Sequence, residues 1–261
     1  AGKGVLPKLW MGKKVACAAS PIYDGCWAEY MVTKAGMCVP LSKNISLDQA
    51  SMMFVNPMTA LAFFDIYKKL PNPTKKHRGI INTAGASALG RMVIKFGQKQ
   101  GIPVISVVRR EEQVEILKAD GAEYIVDSSD PNFETNLKKL AHQLNATEIF
   151  DAVGGEMVQM LLDAAPKGSN LFIYGRLSAD ACEISPGDLI FTGNQIRGFW
   201  LTCWLHSKSF LQSIMNTRKI QSLLGKELGT TIHQKFSIEQ ISEALEIYQN
   251  NMSKGKVLIQ F

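Results

Sequence analysis

The sequence predicts an α/β fold with a doubly wound parallel sheet, and three observations indicate it. Residues 79–110 read as strand, loop, helix and strand, because two apolar runs flank a periodic segment that ends before Gly101. Apolar runs and amphipathic segments then keep alternating to about residue 204, at the spacing of βαβ units. Residues 1–52 instead contain short apolar runs typical of strands, so we expect a second, β-rich region there.

The element boundaries follow from the same patterns. Within the sheet region we predict strands at 79–83, 102–108, 123–127, 148–155, 170–175 and 195–201, and helices at 91–100, 111–120, 128–144 and 156–165. Elsewhere we predict strands at 13–19, 27–33, 37–41, 231–236 and 256–261, and helices at 46–70, 207–225 and 241–250. Pro57 should interrupt the helix at 46–70. Ser46 and Ser237 each stand three positions before a glutamine, the pattern of a capping box. We expect the last strand to pair with the N-terminal strands.

A loop of small residues joins the strand at 79–83 to the following helix. Its last six residues are Gly85, Ala86, Ser87, Ala88, Leu89 and Gly90, so a serine replaces the middle glycine of the G-x-G-x-x-G pattern. Small residues let the backbone approach a pyrophosphate, and the start of the helix offers free N–H groups. The sequence therefore predicts a dinucleotide site here; the alternative is a turn that only packs the helix.

Two arginines follow the strand at 102–108, where the choice of cofactor is made in dinucleotide-binding folds. An enzyme that selects NAD usually has an acidic residue there, to accept a hydrogen bond from the ribose. Arg109 and Arg110 instead offer forked donors to a 2′-phosphate. We therefore predict NADPH as the cofactor, with a solvated surface turn as the alternative reading of the two arginines.

Two later strands have a glycine at their carboxyl ends. The first ends in Val153 and Gly154, and the second in Tyr174, Gly175 and Arg176. Ligands of parallel sheets bind outside the carboxyl ends of the strands, so we expect these residues to contact the cofactor. The alternative is that the glycines only make turns.

Composition excludes several classes of partner. The chain has 261 residues, of which 46% are hydrophobic and 20% charged, and a formal net charge of +6. The positive charge is not concentrated in a Lys/Arg block with interleaved aromatic residues, so nucleic-acid binding is disfavoured. No apolar run approaches the roughly 20 residues of a membrane span. We expect a small-molecule substrate, and neither a nucleic-acid nor a membrane partner.

The cysteines give little support to a metal centre or a disulfide framework. The chain has five of them, at Cys17, Cys26, Cys38, Cys182 and Cys203, and no Cys-x-x-Cys pair. An odd number at wide spacing favours reduced thiols, so we predict no metal site. We expect a cytoplasmic protein, with a mitochondrial location as the alternative.

Several separated motifs resemble one family. They are residues 25–30 (GCWAEY), 56–60 (NPMTA), the loop at 84–90, residues 150–155 (FDAVGG) and residues 254–258 (KGKVL). In this order they are similar to the medium-chain dehydrogenase/reductase superfamily. Within it the chain resembles the zinc-independent branch of NADPH quinone oxidoreductases and 2-enoyl thioester reductases.

The resemblance implies a domain arrangement. Residues 1–52 would be the remnant of a GroES-like catalytic domain, 53–204 the Rossmann domain that binds NADPH, and 205–261 a return to the catalytic domain. An earlier part of that catalytic domain has no counterpart here. It would hold any zinc ligands and, in the enoyl reductases, a catalytic tyrosine. We therefore expect this chain to bind NADPH but to reduce substrate more slowly than a longer chain.

The resemblance also implies site residues. Asn56 and Thr59 of the NPMTA motif, and Phe199 and Leu201, would contact the cofactor. The stretch at 197–204 is similar to mitochondrial-type enoyl thioester reductases, in which the tryptophan that matches Trp200 lines the active site. The alternative for Trp200 is an aromatic residue of the core or of a dimer interface. The histidines, which are His77, His142, His206 and His233, lie in polar surroundings and we expect them at the surface.

The implied activity is hydride transfer from NADPH to an activated double bond or a quinone. The alternative, from a different class, is a catalytically idle NADPH-binding protein with a structural or sensing role. The strand at 195–201 comes late in the sheet and is apolar for an open edge, so we also expect a homodimer formed through it.

Overall fold

The chain divides into two compact units. The structure is a computed structural model that describes residues 2–18, 25–71, 78–224, 228–250 and 253–261. The first unit comprises Ala1–Met58 and Lys208–Phe261, and the second comprises Thr59–Ser207.

The N-terminal part of the first unit holds one short antiparallel ladder. In chain order the first elements are α1 (Val5–Trp10), β1 (Val15–Cys17), β2 (Cys38–Pro40), α2 (Leu47–Ser51) and α3 (Val55–Lys69). β1 pairs with β2, with Cys17 opposite Cys38. The strand predicted at 27–33 is wrong, because those residues lie outside any strand. Trp27 and Tyr30 are 57% and 90% exposed, so the alternating pattern there buries no face of a sheet.

Pro57 does not interrupt a helix. The predicted helix at 46–70 is divided at residues 52–54, between α2 and α3, and Pro57 lies in the first turn of α3. A proline is tolerated there because the first turn has no intrahelical acceptor for its missing N–H. Ser46 is the N-cap as predicted, since its Oγ accepts a hydrogen bond from Gln49 N at 3.2 Å. The capping box is not completed, because the side chain of Gln49 bonds to Thr230.

The second unit is a six-stranded parallel sheet with helices between its strands. Its elements are β3 (Ile80–Asn82), α4 (Ala88–Gln100), β4 (Val104–Val108), α5 (Glu111–Ala119), β5 (Tyr124–Asp127), α6 (Phe133–Gln143), β6 (Glu148–Asp151), α7 (Met157–Ala164), β7 (Asn170–Ile173), α8 (Pro186–Ile190), β8 (Gln195–Gly198) and α9 (Leu201–His206). The strand order is β5-β4-β3-β6-β7-β8. The predicted doubly wound α/β fold is therefore confirmed, and its topological switch point lies between β3 and β6. The strand predicted at 195–201 ends early, at Gly198, and Leu201 begins α9.

The register places like residues in rows across the sheet. On one face the row comprises Ile105, Ile81, Ile149, Leu171 and Ile196. These side chains pack with residues of α6 and α7 into a buried cluster. On the other face the ring of Phe63 of α3 stacks on Phe150, with centroids 3.9 Å apart. Both faces are covered, which explains why these strands read as continuous apolar runs.

The C-terminal part of the first unit corrects one prediction. Its elements are α10 (Phe210–Leu224), β9 (Ile232–Ser237), α11 (Ile241–Asn250) and β10 (Lys256–Gln260). β10 pairs in parallel with β9, not with the N-terminal strands as predicted. The capping box at Ser237 and Gln240 is confirmed.

Two glutamine side chains join the tail to the N-terminal segment instead. Gln49 Nε2 donates to the carbonyl of Thr230 at 2.9 Å, and Thr230 N donates back to Gln49 Oε1 at 2.9 Å. Gln221 likewise accepts from Ser42 N and donates to the carbonyl of Pro40. A primary amide has the donor and acceptor geometry of a peptide group, so each glutamine replaces one rung of a strand pairing.

A buried ion pair ties α3 to the start of the sheet. Arg78 Nη1 donates to Glu148 Oε1 at 2.8 Å, and both side chains are almost wholly buried. The same guanidinium donates to the carbonyls of Tyr67 and Pro71, at the end of α3. Burial raises the pKa of Glu148, although hydrogen bonding to Thr147 and the charge of Arg78 both lower it. Arg78 therefore offsets part of the free-energy cost of burying the ionised carboxylate of Glu148.

We predict that Arg78→Met destabilises the second unit by about 3–5 kcal/mol at neutral pH, because it leaves a buried carboxylate unpaired. The loss should shrink as the pH falls toward the ordinary pKa of a glutamic acid. A raised pKa means that the folded state binds this proton more readily than the unfolded state, so stability rises with falling pH in that window. Urea unfolding at several pH values measures both effects.

Lys118→Ala is the matched control. Lys118 pairs with Glu115 at 2.7 Å, but both side chains are more than half exposed. Its loss should therefore change the free energy of unfolding by less than about 1 kcal/mol at every pH. Equal effects of the two substitutions would contradict the role given to Arg78.

Candidate cofactor-binding site

The loop between β3 and α4 is shaped by a serine cap. Ser87 has φ −67° and ψ 162°, and its Oγ accepts a hydrogen bond from Gly90 N at 3.0 Å. This backbone conformation does not require a glycine. The departure from G-x-G-x-x-G is thereby explained, since the serine satisfies one free N–H of α4 while the remaining N–H groups of the first turn can still meet an anion.

The two flanking glycines of this loop have no room for a side chain. A Cβ on Gly90 would lie 2.2 Å from the carbonyl oxygen of Gly85. A Cβ on Gly85 would lie 2.8 Å from Cβ of Ser106, on β4. Gly85 N also donates to the carbonyl of Val107 at 2.9 Å. The loop is therefore pressed onto the end of β4 and fixed in position there.

A hydroxyl and a carboxylate meet across the switch point. Thr83 Oγ1 donates to Asp151 Oδ1 at 2.7 Å, and both side chains are fully buried. Asp151 also accepts from the N–H groups of Val153 and Gly154, at 3.0 and 2.8 Å. Ala152 N donates to Thr83 Oγ1 at 2.8 Å. These bonds fix the turn that follows β6 against the end of β3, beside the cofactor loop.

The end of β7 lies against the same turn. Tyr174 N donates to the carbonyl of Asp151 at 2.8 Å. A Cβ on Gly175 would lie 2.7 Å from the carbonyl oxygen of Ala152, so only glycine allows this approach. Burial, and then the charge of Asp151, raise the pKa of the Tyr174 phenol above its ordinary value. Tyr174 is therefore a neutral phenol and not a base.

The cofactor residues predicted from sequence fall into three groups. Those of the loop, and those at the ends of β6 and β7, meet at one edge of the sheet; they are Gly85, Ala86, Ser87, Ala88, Leu89, Val153, Gly154, Tyr174 and Gly175. Arg109 and Arg110 follow β4 with exposed side chains, and Arg109 N donates to Gln113 Oε1 at 3.1 Å. The third group does not lie together at this edge of the sheet. Its members are Asn56, Thr59, Arg176, Phe199, Trp200 and Leu201.

The last group is distributed over several elements. Asn56 lies in the first turn of α3, in the first unit, whereas Thr59 is buried in the second unit. Arg176 is exposed, and its guanidinium donates to the carbonyl of Ala179. The ring of Phe199 lies 5.2 Å from that of Phe63. Trp200 is 68% exposed, so its side chain does not belong to the core. Two interpretations of this residue remain, a position in the substrate pocket and a position in a dimer interface.

Sequence reasoning missed Thr83 and Asp151. A signal for both was present in the sequence. Asp151 directly follows the apolar pair Ile149 and Phe150, and one residue separates Thr83 from the apolar pair at 80–81. Such a residue is hydrogen-bonded or functional more often than it is free. Neither was assigned a role because their partners lie 68 positions apart in the sequence.

The histidines were expected at the surface. His142, His206 and His233 are exposed, as predicted, and His77 lies outside the described residues. Among the described residues, no group of three or more His, Cys, Asp or Glu side chains is placed to hold a metal ion. In the same part of the chain no helix is both long and apolar enough to cross a membrane.

Comparison with known sequences points to one family. The sequence profile of the family described as Zinc-binding dehydrogenase matches residues 88–217. The mitochondrial enoyl-[acyl-carrier-protein] reductase of Arabidopsis thaliana is 29% identical over 191 residues, which are 71% of this chain and 50% of that protein. Its counterpart in Dictyostelium discoideum is 28% identical over 245 residues, which are 90% of this chain and 65% of that protein. The chain thus spans about half to two thirds of the length of these curated relatives.

Solved structures agree with the sequence comparison. A candidate NADPH:quinone reductase from Mesorhizobium loti superposes with a TM-score of 0.88 at 31% identity, covering 100% of this chain and 74% of the other. A mutant form of enoyl thioester reductase from Candida tropicalis superposes with a TM-score of 0.72 at 20% identity, covering 86% and 67%. The second similarity is one of fold alone.

We predict that Gly90→Ala weakens the binding of a reduced nicotinamide dinucleotide by tenfold or more, or about 1.4 kcal/mol. The added Cβ must push away the backbone of Gly85, which displaces the loop that should meet the pyrophosphate. Fluorescence titration measures the affinity. Gly36→Ala is the control, because no atom lies within 4 Å of its added Cβ. Unchanged affinity in folded Gly90→Ala protein would contradict the assignment of this loop.

Proposed function

We propose that this chain, which belongs to the medium-chain dehydrogenase/reductase superfamily, is an NADPH-dependent reductase. Its substrate would be a small molecule with an activated double bond or a quinone ring, and a 2-enoyl thioester or an enone fits the first class. The Arabidopsis and Dictyostelium relatives are named for reduction of enoyl thioesters, and the Mesorhizobium relative for reduction of quinones. These relatives support the reaction type without choosing between the two substrates.

One observation carries the proposal. The serine-capped loop and the turn fixed by Thr83 and Asp151 stand side by side at the switch point of the sheet. In open α/β sheets this crevice is where a dinucleotide binds, with its pyrophosphate at the start of the helix. The loop would hold the pyrophosphate, and the ends of β6 and β7 would lie along the rest of the cofactor.

The cofactor would supply the chemistry, which is the donation of a hydride to the substrate. The residues of this chain would bind and orient it. The N–H groups of Val153 and Gly154 cannot turn toward a ligand, because Asp151 accepts both of them. The carbonyl oxygens of Ala152 and Val153 already accept hydrogen bonds from Leu177 N and Ser178 N, at 3.0 and 2.8 Å. The carbonyl oxygen of Gly154 would therefore be the group of this turn that accepts a hydrogen bond from the nicotinamide carboxamide. No side chain of this chain is assigned as the proton donor.

We further propose that the reaction needs no zinc and that Asn56, Thr59, Arg176, Phe199 and Leu201 contribute to the cofactor site. Trp200 would line the substrate pocket. Its exposure at 68% leaves the indole face free to pack against a flat acyl or quinone group. We propose a cytoplasmic location. Mitochondria are the alternative, which the names of the curated relatives favour.

A panel of substrates tests the activity. We expect NADPH oxidation, followed at its near-ultraviolet absorbance, with at least one member of a set of short enoyl-CoA esters, enones and quinones. The same assay after treatment with a zinc chelator should give an unchanged rate. NADPH binding without turnover of any member would favour the alternative of a catalytically idle binding protein.

We predict that NADPH binds more tightly than NADH, and that Arg109→Ser with Arg110→Ser removes the difference. Charge-assisted hydrogen bonds to the 2′-phosphate should contribute roughly 1.5–3 kcal/mol, or about 10- to 150-fold in affinity. Titration of both cofactors measures this. Arg218→Ser is the control, because Arg218 is an exposed arginine of α10 in the other unit. A double variant that keeps the preference would contradict the role of the two arginines.

We predict a homodimer formed through β8. Gln195 N donates to the carbonyl of Ser169, just before β7, and Phe199 N donates to that of Ile173 in β7. The N–H groups of Ile196 and Gly198 therefore point away from the sheet. A second copy of β8 could accept these donors. Light scattering at micromolar concentration should give the dimer mass, and Gly198→Pro should give the monomer, because it removes an outward donor. A wild-type monomer would contradict the prediction.

A further inference from the structure

Two cysteines face each other across the β1–β2 ladder of the first unit. Cys17 lies directly opposite Cys38 in the antiparallel register. Both residues are partly buried, and both are free thiols. Burial raises the pKa of Cys17, and so do the thiols of Cys38 and Cys26 beside it. The sulfur atoms of Cys17 and Cys38 are therefore neighbours, and the register determines whether they can join.

The ladder places this pair at a site suited to a disulfide. Leu41 N donates to the carbonyl of Lys14 at 3.0 Å, so residues 14 and 41 form a hydrogen-bonded pair. Pairs alternate along an antiparallel ladder, which makes residues 17 and 38, three positions further, a non-hydrogen-bonded pair. Pro40 agrees with this alternation, because it lies opposite Val15 in a non-hydrogen-bonded pair, where its missing N–H costs nothing.

Non-hydrogen-bonded pairs bring side chains close together. Their Cα atoms lie about 4.5 Å apart, against about 5.5 Å in hydrogen-bonded pairs. A disulfide spans Cα separations of about 4.4–6.8 Å, so the bond can form here without moving either strand.

We propose that Cys17 and Cys38 are a peroxide-sensitive thiol pair that closes to a disulfide and joins β1 covalently to β2. The oxidant is a hydroperoxide. The raised pKa of Cys17 disfavours its thiolate, so Cys38 is the attacking residue. Its thiolate attacks a peroxide oxygen, so that an S–O bond forms, the O–O bond breaks, and the alkoxide or hydroxide leaves with the proton that the Cys38 thiol released. The sulfur of the other cysteine then displaces hydroxide from the sulfenic acid. An S–S bond forms, the S–O bond breaks, and water leaves with the second thiol proton.

The other cysteines are worse partners. Cys26 is exposed and lies outside both strands, so no ladder fixes its distance to Cys17. Cys182 and Cys203 are exposed and belong to the second unit. The pair of Cys17 and Cys38 is the one whose two backbones are held in register before the reaction begins.

Closure would stabilise the N-terminal part of the first unit. The bond ties residue 17 to residue 38 and removes the freedom of the residues between them from the unfolded chain. A loop of this length should raise the melting temperature of the oxidised protein by about 5 °C or more. Reduction by dithiothreitol should return it to the starting value.

Peptide mapping tests the proposal. The reduced 261-residue protein is treated with hydrogen peroxide, its remaining thiols are blocked, and it is digested with trypsin and with a protease that cleaves before aspartate. Cleavage at Lys14, Asp24 and Lys34 separates the three nearby cysteines onto different peptides. We expect a peptide pair that joins Cys17 to Cys38, lighter by two hydrogens than the separate peptides and lost on reduction.

Variants make the outcome specific. Cys26→Ser, and Cys182→Ser with Cys203→Ser, should keep both the linked peptides and the rise in melting temperature. Cys38→Ser should lose both while its circular dichroism spectrum stays that of the wild type. Cys38→Ala serves the same purpose if the serine variant does not fold. Wild-type protein that gives Cys17 joined to Cys26, or sulfinic and sulfonic acids without the linked pair, would overturn the proposal.

Discussion

The carboxylate of Asp151 joins the two central strands of the sheet, β3 and β6, between which the strand order reverses. It is fully buried, and it accepts hydrogen bonds from the hydroxyl of Thr83 and from the N–H groups of Val153 and Gly154. A charge without solvent is tolerated only when such donors surround it. The bond to Thr83 crosses from β6 to β3, the two strands from which the chain winds in opposite directions. These bonds therefore fix the turns that follow β3 and β6 against each other.

Much of this fold could be predicted from the sequence, because its strands are buried on both faces. The run at residues 102–108 is apolar except for Ser106, and it begins after Gly101 and ends before Arg109. The loop at 84–90 was recognisable for the same reason. Its close approach to β4 admits only glycine at position 85, and the closeness of the Gly85 carbonyl oxygen admits only glycine at position 90. Both glycines are visible in the sequence. In this region the local sequence pattern agrees with the overall fold, so the fold could be predicted from the pattern.

The parts that could not be predicted depend on distant partners. Residues 27–33 alternate as a strand does, but alternation becomes a strand only when a neighbouring backbone accepts its hydrogen bonds. The final strand pairs with β9, and the contact with the N-terminal segment is made by Gln49 and Gln221, whose roles no local pattern indicates. The pairing of Cys17 with Cys38 could not be predicted for the same reason. Their wide spacing in the sequence suggested separate thiols, and the register of the β1–β2 ladder places them opposite each other.

The strand β6 carries an acid at each end, and the two are stabilised by different means. Glu148 meets a guanidinium, whereas Asp151 meets a hydroxyl and two backbone N–H groups. The difference suits their positions. Glu148 lies at the amino end of the sheet, where Arg78 can also bind the carbonyls at the end of α3. Asp151 lies at the carboxyl end, where a polyanionic cofactor would compete for a buried cation. Neutral donors hold Asp151 without that competition. The proposed cofactor would then be attracted by the start of α4 and by the exposed side chains of Arg109 and Arg110.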